Sequence, residues 1–248
     1  MTRTSSVMLP IKVGRTPARK LPERVALHEQ ALDRLRTLIV RGDLAPGVAI
    51  LETRLSEELG ISRTPLREAL KLLAAEGLLE LRSNRSAQIA PLRPAEIDQI
   101  FEVISAIEGF AAQLAASRIT KPELRRLSQL QDRMETYHED GRLDDYFKIN
   151  QEVHSFIIAA AKNAVLKSTH DTLLARAERA RYFALSSRSR WDDSVLEHRQ
   201  ILKALKMRDG TGAARALTQH VLRTGRAVNE ELRLRETKDR SKRIERQR

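Results

Sequence analysis

Three of the six histidines in this 248-residue chain can converge on one point together with an asparagine. Asn150 and His154 are four residues apart, so on a helix both side chains leave the same face. His198 and His220 fall on two later helical segments joined by a short turn, which makes those helices antiparallel neighbours. Three helices then supply three imidazole nitrogens and one amide oxygen. That donor set suits Zn, Ni or a similar divalent metal and leaves a position open for water or an anion. An amide is neutral, so a metal held by Asn150 keeps its whole positive charge. It binds more weakly than beside a carboxylate and attracts an anionic ligand more strongly. His28, His138 and His170 read as ordinary polar residues. His138 is expected in an exposed turn beside Glu139-Asp140-Gly141, and His170 has no partner at a telling spacing.

A second constellation lies near the N-terminus. Arg63, Arg67 and Lys71 recur at i, i+4 and i+8, while Leu66, Ala69, Leu70 and Leu73 form the opposite, apolar face of the same helix. A basic stripe at a helix N-terminus can enter the major groove, where arginine binds guanine bidentately or holds phosphates. Ser62 and Thr64 offer hydroxyls at the same end, either of which can cap the helix, and Pro65 suits its first turn. Arg82 and Arg85 follow at the tip of a short hairpin.

These residues need positioning elements. A helix is expected over about 25–41, stopped by Gly42 and the turn formers Asp43, Pro46 and Gly47. Val48 and Ile50 suit a short strand. A second helix covers 52–59 and buries Leu55 and Leu59. Gly60 closes it, Ile61 plugs the turn, and the third helix runs from 63 to 76. Leu78 to Leu81 and Gln88 to Ala90 make a two-stranded wing. Beyond a linker at 92–94 the pattern is helical throughout: 95–118, 121–140, 143–161, 164–186, 192–208 and 212–233. Thr120 with Glu123 has the capping-box spacing. Residues 1–22 read as a disordered tail, 23–91 as a winged helix-turn-helix, 95–233 as a helical domain and 234–248 as a charged, frayed tail. The fold class is mainly α.

Bulk composition bounds the function. There is no cysteine, which excludes disulfides and thiolate-bound zinc. No apolar run approaches a membrane span and no leader is evident, so the chain is expected in the cytoplasm. Net charge is +12, yet residues 25–91 carry nine basic and nine acidic side chains, so bulk basicity does not argue for DNA binding. The placed arginines do.

The stretch GISRTPLREALKLLAAEGLLE, preceded by LETRLSEEL, resembles the winged-helix domain of GntR-family bacterial regulators. The resemblance implies that Arg54, Ser62, Arg63, Thr64, Pro65 and Arg67 face DNA. The family's wing reads N-R-G-A, where this chain has Asn84-Arg85-Ser86-Ala87, so Ser86 puts the wing's approach to the minor groove in doubt. Residues 95–228 resemble the FCD ligand-binding domain of the FadR subfamily, through N-x-x-x-H-x-x-I-x-x-A-A-x-N at 150–163, E-H-x-x-I-L-x-A-L at 197–205 and A-R-A-L-x-x-H at 214–220. Many such domains hold a divalent metal through an Asp and three His. His154, His198 and His220 match the histidines, and Asn150 stands at the Asp position. Relatives often carry an arginine for the effector where this chain has Ile104. Arg181 and Arg188 are substitutes for it, although both read as surface residues. The resemblance implies a homodimeric repressor on a palindromic double-stranded operator, released by a small organic acid.

Two rival readings fit these residues less well. A metal-dependent hydrolase needs a general base at the metal, but Glu152 points to the opposite helix face and no H-E-x-x-H or G-x-S-x-G pattern occurs. An architectural nucleic-acid binder would use the basic tails and leaves the histidine set unexplained.

Overall fold

The computed structural model describes residues 27–81 and 87–245. The expected tail at 1–22 and the wing-tip residues Arg82, Arg85 and Ser86 lie outside them. The chain divides after Pro91 into two compact units.

The first unit is built from α1 (Leu27–Arg41), β1 (Ala49–Ile50), α2 (Glu52–Leu59), α3 (Arg63–Ala75), β2 (Leu79–Leu81) and β3 (Ala87–Ile89). Ala31, Leu35 and Ile39 recur every fourth residue on α1 and are fully buried, as are Leu66, Ala69 and Leu73 of α3, on which α1 packs. Arg36 of α1 clamps Glu76 just after α3, with Nε and Nη2 donating at 3.1 and 2.6 Å. Gly60 adopts φ 66, the left-handed conformation that lets α2 turn sharply into α3. The wing is more than the expected hairpin. β1 pairs antiparallel with β3 on the side away from β2, giving a three-stranded sheet in the order β1-β3-β2.

The second unit is helical: α4 (Pro94–Arg118), α5 (Lys121–Glu139), α6 (Leu143–Ala160), α7 (Ala164–Leu185), α8 (Arg188–Lys206) and α9 (Gly210–Glu245). Thr120 and Glu123 form the expected capping box at the start of α5. Asn163 caps α7 by accepting from the Leu166 amide at 3.1 Å. α4 is apolar and long enough to pass for a membrane span, with mean hydropathy 1.3 over its best window, but 56% of that window is buried among the other helices. It is the core helix of this unit. α9 is longer than expected and continues past 233 to Glu245, with Arg235 seated over the Phe183 ring at 4.3 Å.

α4 and α9 approach closely because glycines remove side chains at their contacts. A Cβ on Gly225 would fall 2.8 Å from both Cβ and Cγ of Phe101, and one on Gly109 would fall 2.1 Å from Oγ1 of Thr218. Gly225→Ala must therefore push a packed ring aside. It is expected to lower unfolding stability by about 1–3 kcal/mol in chemical denaturation. An unchanged midpoint would show that the α4–α9 contact is looser than this packing implies.

Candidate functional site

Two groups of residues carry the chemistry, one in each unit. On α3, Arg63, Thr64, Arg67 and Lys71 are exposed while Leu66, Ala69, Leu70 and Leu73 are buried, so the helix presents the expected polar face. Ser62 is the N-cap but makes no side-chain capping bond, contrary to the expected role of its hydroxyl, or that of Thr64, as a cap. Pro65 stands in the first turn. Two arginines are already oriented by carboxylates. Arg67 Nε donates to Glu52 Oε2 at 2.6 Å, and Arg54 Nε donates to Glu58 Oε1 at 2.7 Å.

The second group is buried in the helical unit. α6 supplies Asn150 and His154, α8 supplies His198, and α9 supplies His220. The rings of the three histidines lie 5.2, 5.2 and 4.5 Å apart between centroids, and one ligand nitrogen from each falls within 4.8 Å of the others. The sequence-predicted set is therefore brought together.

Two buried carboxylates outside the sequence-predicted set orient two of these rings. Glu108 of α4 is 0% exposed, the one acid among the buried residues of that apolar helix. Its oxygens accept from His154 Nδ1 at 2.7 Å, His170 Nε2 at 2.9 Å and Arg181 Nη2 at 2.5 Å. Glu197 plays the same part for His220, accepting from its Nδ1 at 2.7 Å and from Arg190 Nη2 at 2.7 Å. Burial alone would raise the Glu108 pKa, but the charge of Arg181 and the bonds from His154 and His170 hold it well below the usual carboxylate range. Burial likewise opposes ionisation of Glu197, yet His220, Arg190 and Arg223 hold its pKa at about 2. An ionised carboxylate only accepts, so His154 and His220 donate from Nδ1. Their Nε2 lone pairs are thereby left for another partner, the usual arrangement behind a metal-bound imidazole.

The imidazoles are neutral. Burial, then the charge of Arg181, pushes the His154 pKa down to about 3 against the pull of Glu108. Burial also carries His198 well below its ordinary value, reinforced by His220, His154 and the two arginines. His220 is lowered by burial, with Glu197 opposing. Asn150 Oδ1, His154 Nε2 and His198 Nε2 are buried without a hydrogen-bond partner. Orphaned acceptors of that kind are costly in a protein interior and fit a shared cation. Neutral nitrogen donors, one amide oxygen and fixed tautomers match a divalent transition metal.

Other expectations change. Arg181 is not a surface residue. It is 2% exposed, and its Nε and Nη1 have no partner. His170 is buried on Glu108 rather than idle. His138 belongs to the last turn of α5, half-buried, with Asp192 at 2.6 Å and the Trp191 ring edge-on. Arg188 is exposed and pairs with Asp192. Ile104 is buried in the core, one turn before Glu108. The sequence signal that could have found Glu108 is its isolation as the one acid in VISAIEGFAAQLAA.

Comparison with known proteins is decisive here. The model for bacterial regulatory proteins of the gntR family matches residues 27–89, and the FCD domain model matches residues 99–223. The chain belongs to the GntR family and carries an FCD domain. It is 30% identical over 204 residues to the HTH-type transcriptional repressor RspR of Escherichia coli K12, covering 82% of this chain and 90% of that protein. It is 31% identical over 198 residues to the probable D-xylose utilization operon transcriptional repressor of Paenarthrobacter nicotinovorans, covering 80% and 87%. Among solved structures, E. coli McbR/YncC shares the fold with a TM-score of 0.73 at 22% identity, over 84% of this chain and 99% of that one. This GntR-family chain is a DNA-binding transcriptional regulator and not an enzyme. Glu152 accords with that: it faces outward and pairs with Arg126 at 2.8 Å.

The buried centre makes the FCD domain acid-sensitive. Three histidines are neutral when folded and take up protons near 6.5 when unfolded, so stability is complete above that pH and falls as pH drops below it. His154, held at about 3, contributes up to about 1.4 kcal/mol per pH unit in that window, and His198 and His220 act in the same direction. The depressed carboxylates Glu108 and Glu197 act in the same direction below their unfolded value of 4.5. Denaturation midpoints measured from pH 7.5 down to pH 5 are expected to fall steeply. A flat profile would show that the imidazoles are not buried in the neutral form.

Proposed function

We propose that this GntR-family regulator is a homodimeric repressor whose operator affinity is set by a small organic acid bound at a divalent metal in the FCD domain. The observation that carries the ligand half of this reading is the set of buried, unpartnered acceptors on Asn150, His154 and His198, with His220 beside them. When bound, the metal supplies a Lewis-acidic anchor for a carboxylate. Asn150 brings no charge, so that anchor retains its full attraction for an anion. Arg181, with two buried N–H groups unengaged, is positioned as the protein's own donor to the same ligand and replaces the arginine that Ile104 lacks. Glu108 and Glu197 keep the imidazoles turned with Nε2 inward.

The DNA half rests on α3. Arg63 and Arg67 are assigned to the major groove, with Ser62, Thr64 and Arg54 on phosphates or base edges and Pro65 shaping the approach. Arg85 is assigned to the wing contact and lies outside the described residues. Dimerisation is assigned to α4, where Val103 and Phe110, seven residues apart, are each 51% exposed on one apolar face. Two-fold symmetry of the protein then matches a palindromic site. The effector acts by binding one arrangement of the dimer more tightly than the other. Repression is favoured because two relatives are named repressors.

Footprinting on DNA upstream of the protein's own operon tests this reading. The wild type is expected to protect a two-fold symmetric site. Arg63→Ala is expected to cost about 1–3 kcal/mol at that site and far less on unrelated DNA. Equal loss on both would make Arg63 a phosphate contact only, and an asymmetric, sequence-independent footprint would overturn the reading.

A further inference from the structure

Asparagine at position 150 carries a requirement that an aspartate would not. Both oxygens of a carboxylate accept, so either can meet a cation. An amide has one oxygen and one NH2 group, and only the oxygen can do so. Asn150 is 2% exposed and stands one turn before His154 on the same face of α6. Turned over, its amide would offer N–H groups to imidazole lone pairs. His154 Nε2 and His198 Nε2 are buried acceptors without a partner, so that arrangement is attractive in the protein alone. It also sets a donor where a cation must approach. A second group is needed to hold the NH2 away.

Gln151, the next residue on α6, is half-buried and supplies that group. Asn150 Nδ2 donates to Gln151 Oε1 at 3.2 Å, which leaves Asn150 Oδ1 as the buried, unpartnered end of the amide. Gln151 Nε2 is itself buried without a hydrogen-bond partner, so its carboxamide is placed for its oxygen and not for its nitrogen. We propose, on the metal reading of the centre, that Gln151 is a positioning residue. By accepting from the Asn150 amide it keeps that amide's oxygen turned toward the histidines, and so sets the affinity of the centre for a divalent cation. An aspartate at position 150 needs no such partner. The role therefore belongs to Gln151 only because asparagine stands beside it.

Titration of the full-length protein with Zn against a competing chromophoric chelator tests this role. Gln151→Met keeps the length of the side chain and removes its acceptor. It is expected to weaken Zn binding about ten-fold, the bias that one hydrogen bond gives to the orientation of an amide. A glutamine is also able to donate, whereas a glutamate only accepts, so Gln151→Glu is expected to bind Zn at least as tightly as the wild type. In an Asn150→Asp background, Gln151→Met is expected to cost less than about two-fold, because a carboxylate has no wrong end to turn inward. Wild-type affinity in Gln151→Met, an equal loss in Gln151→Glu, or a loss that persists undiminished in the Asn150→Asp background overturns the proposal. Proton–nitrogen correlation spectra of the histidine rings in protein freed of metal add a readout that needs no cation. The Nε2 resonances of His154 and His198 are expected to be those of free lone pairs in the wild type, and one of them that of a hydrogen-bonded nitrogen in Gln151→Met. Unchanged resonances overturn the proposal. Wild-type protein that holds no Zn removes the metal reading, and the same spectra then still decide which way Gln151 turns the Asn150 amide.

Discussion

The charge on Glu108 is the constraint around which the helical domain is organised. An ionised carboxylate in the middle of an apolar helix is prohibitively unstable unless it is paired and fully hydrogen-bonded. α6, α7 and α4 must therefore come together so that His154, His170 and Arg181 reach it. The same contact that neutralises the acid also fixes the tautomer and rotation of His154. Glu197 repeats the device on α8 and α9, with Arg190 behind and His220 in front. Folding and the orientation of His154 and His220 are one event in this domain, because each ring is turned by the bond between its Nδ1 and a buried carboxylate.

The balance of charge in the centre has a functional side. Two buried arginines are matched by two buried glutamates, three imidazoles are neutral, and Asn150 adds nothing. A divalent ion placed there has no local counter-charge. Under the proposed function an anionic effector supplies that counter-charge, and its binding free energy shifts the disposition of two DNA-binding units. An aspartate at position 150 would supply part of that charge from the protein and leave less for the ligand.

Much of this was legible in the sequence where the signal is local. The exposed stripe Arg63, Arg67, Lys71 and its buried counterpart follow from helical spacing alone, as does the pairing of Asn150 with His154. Gly60 and the Thr120–Glu123 box mark turns whose geometry depends on a few adjacent residues. What was not legible is long-range. Glu108 meets partners 46, 62 and 73 residues away, and no periodicity in the chain announces which arginine will be drawn inside to answer it. Arg181 and His170 consequently read as surface and idle residues, although both are buried. The third strand of the wing sheet also depends on tertiary pairing, since β1 is only two residues long.

The most direct test of the buried centre is X-ray absorption at the zinc edge on full-length protein loaded with one equivalent of Zn and freed of excess by gel filtration. A first shell of three imidazole nitrogens and one further oxygen or nitrogen, at about 2.0–2.1 Å, is the predicted result. Loss of the zinc on filtration, or a shell with one imidazole or none, would contradict the account.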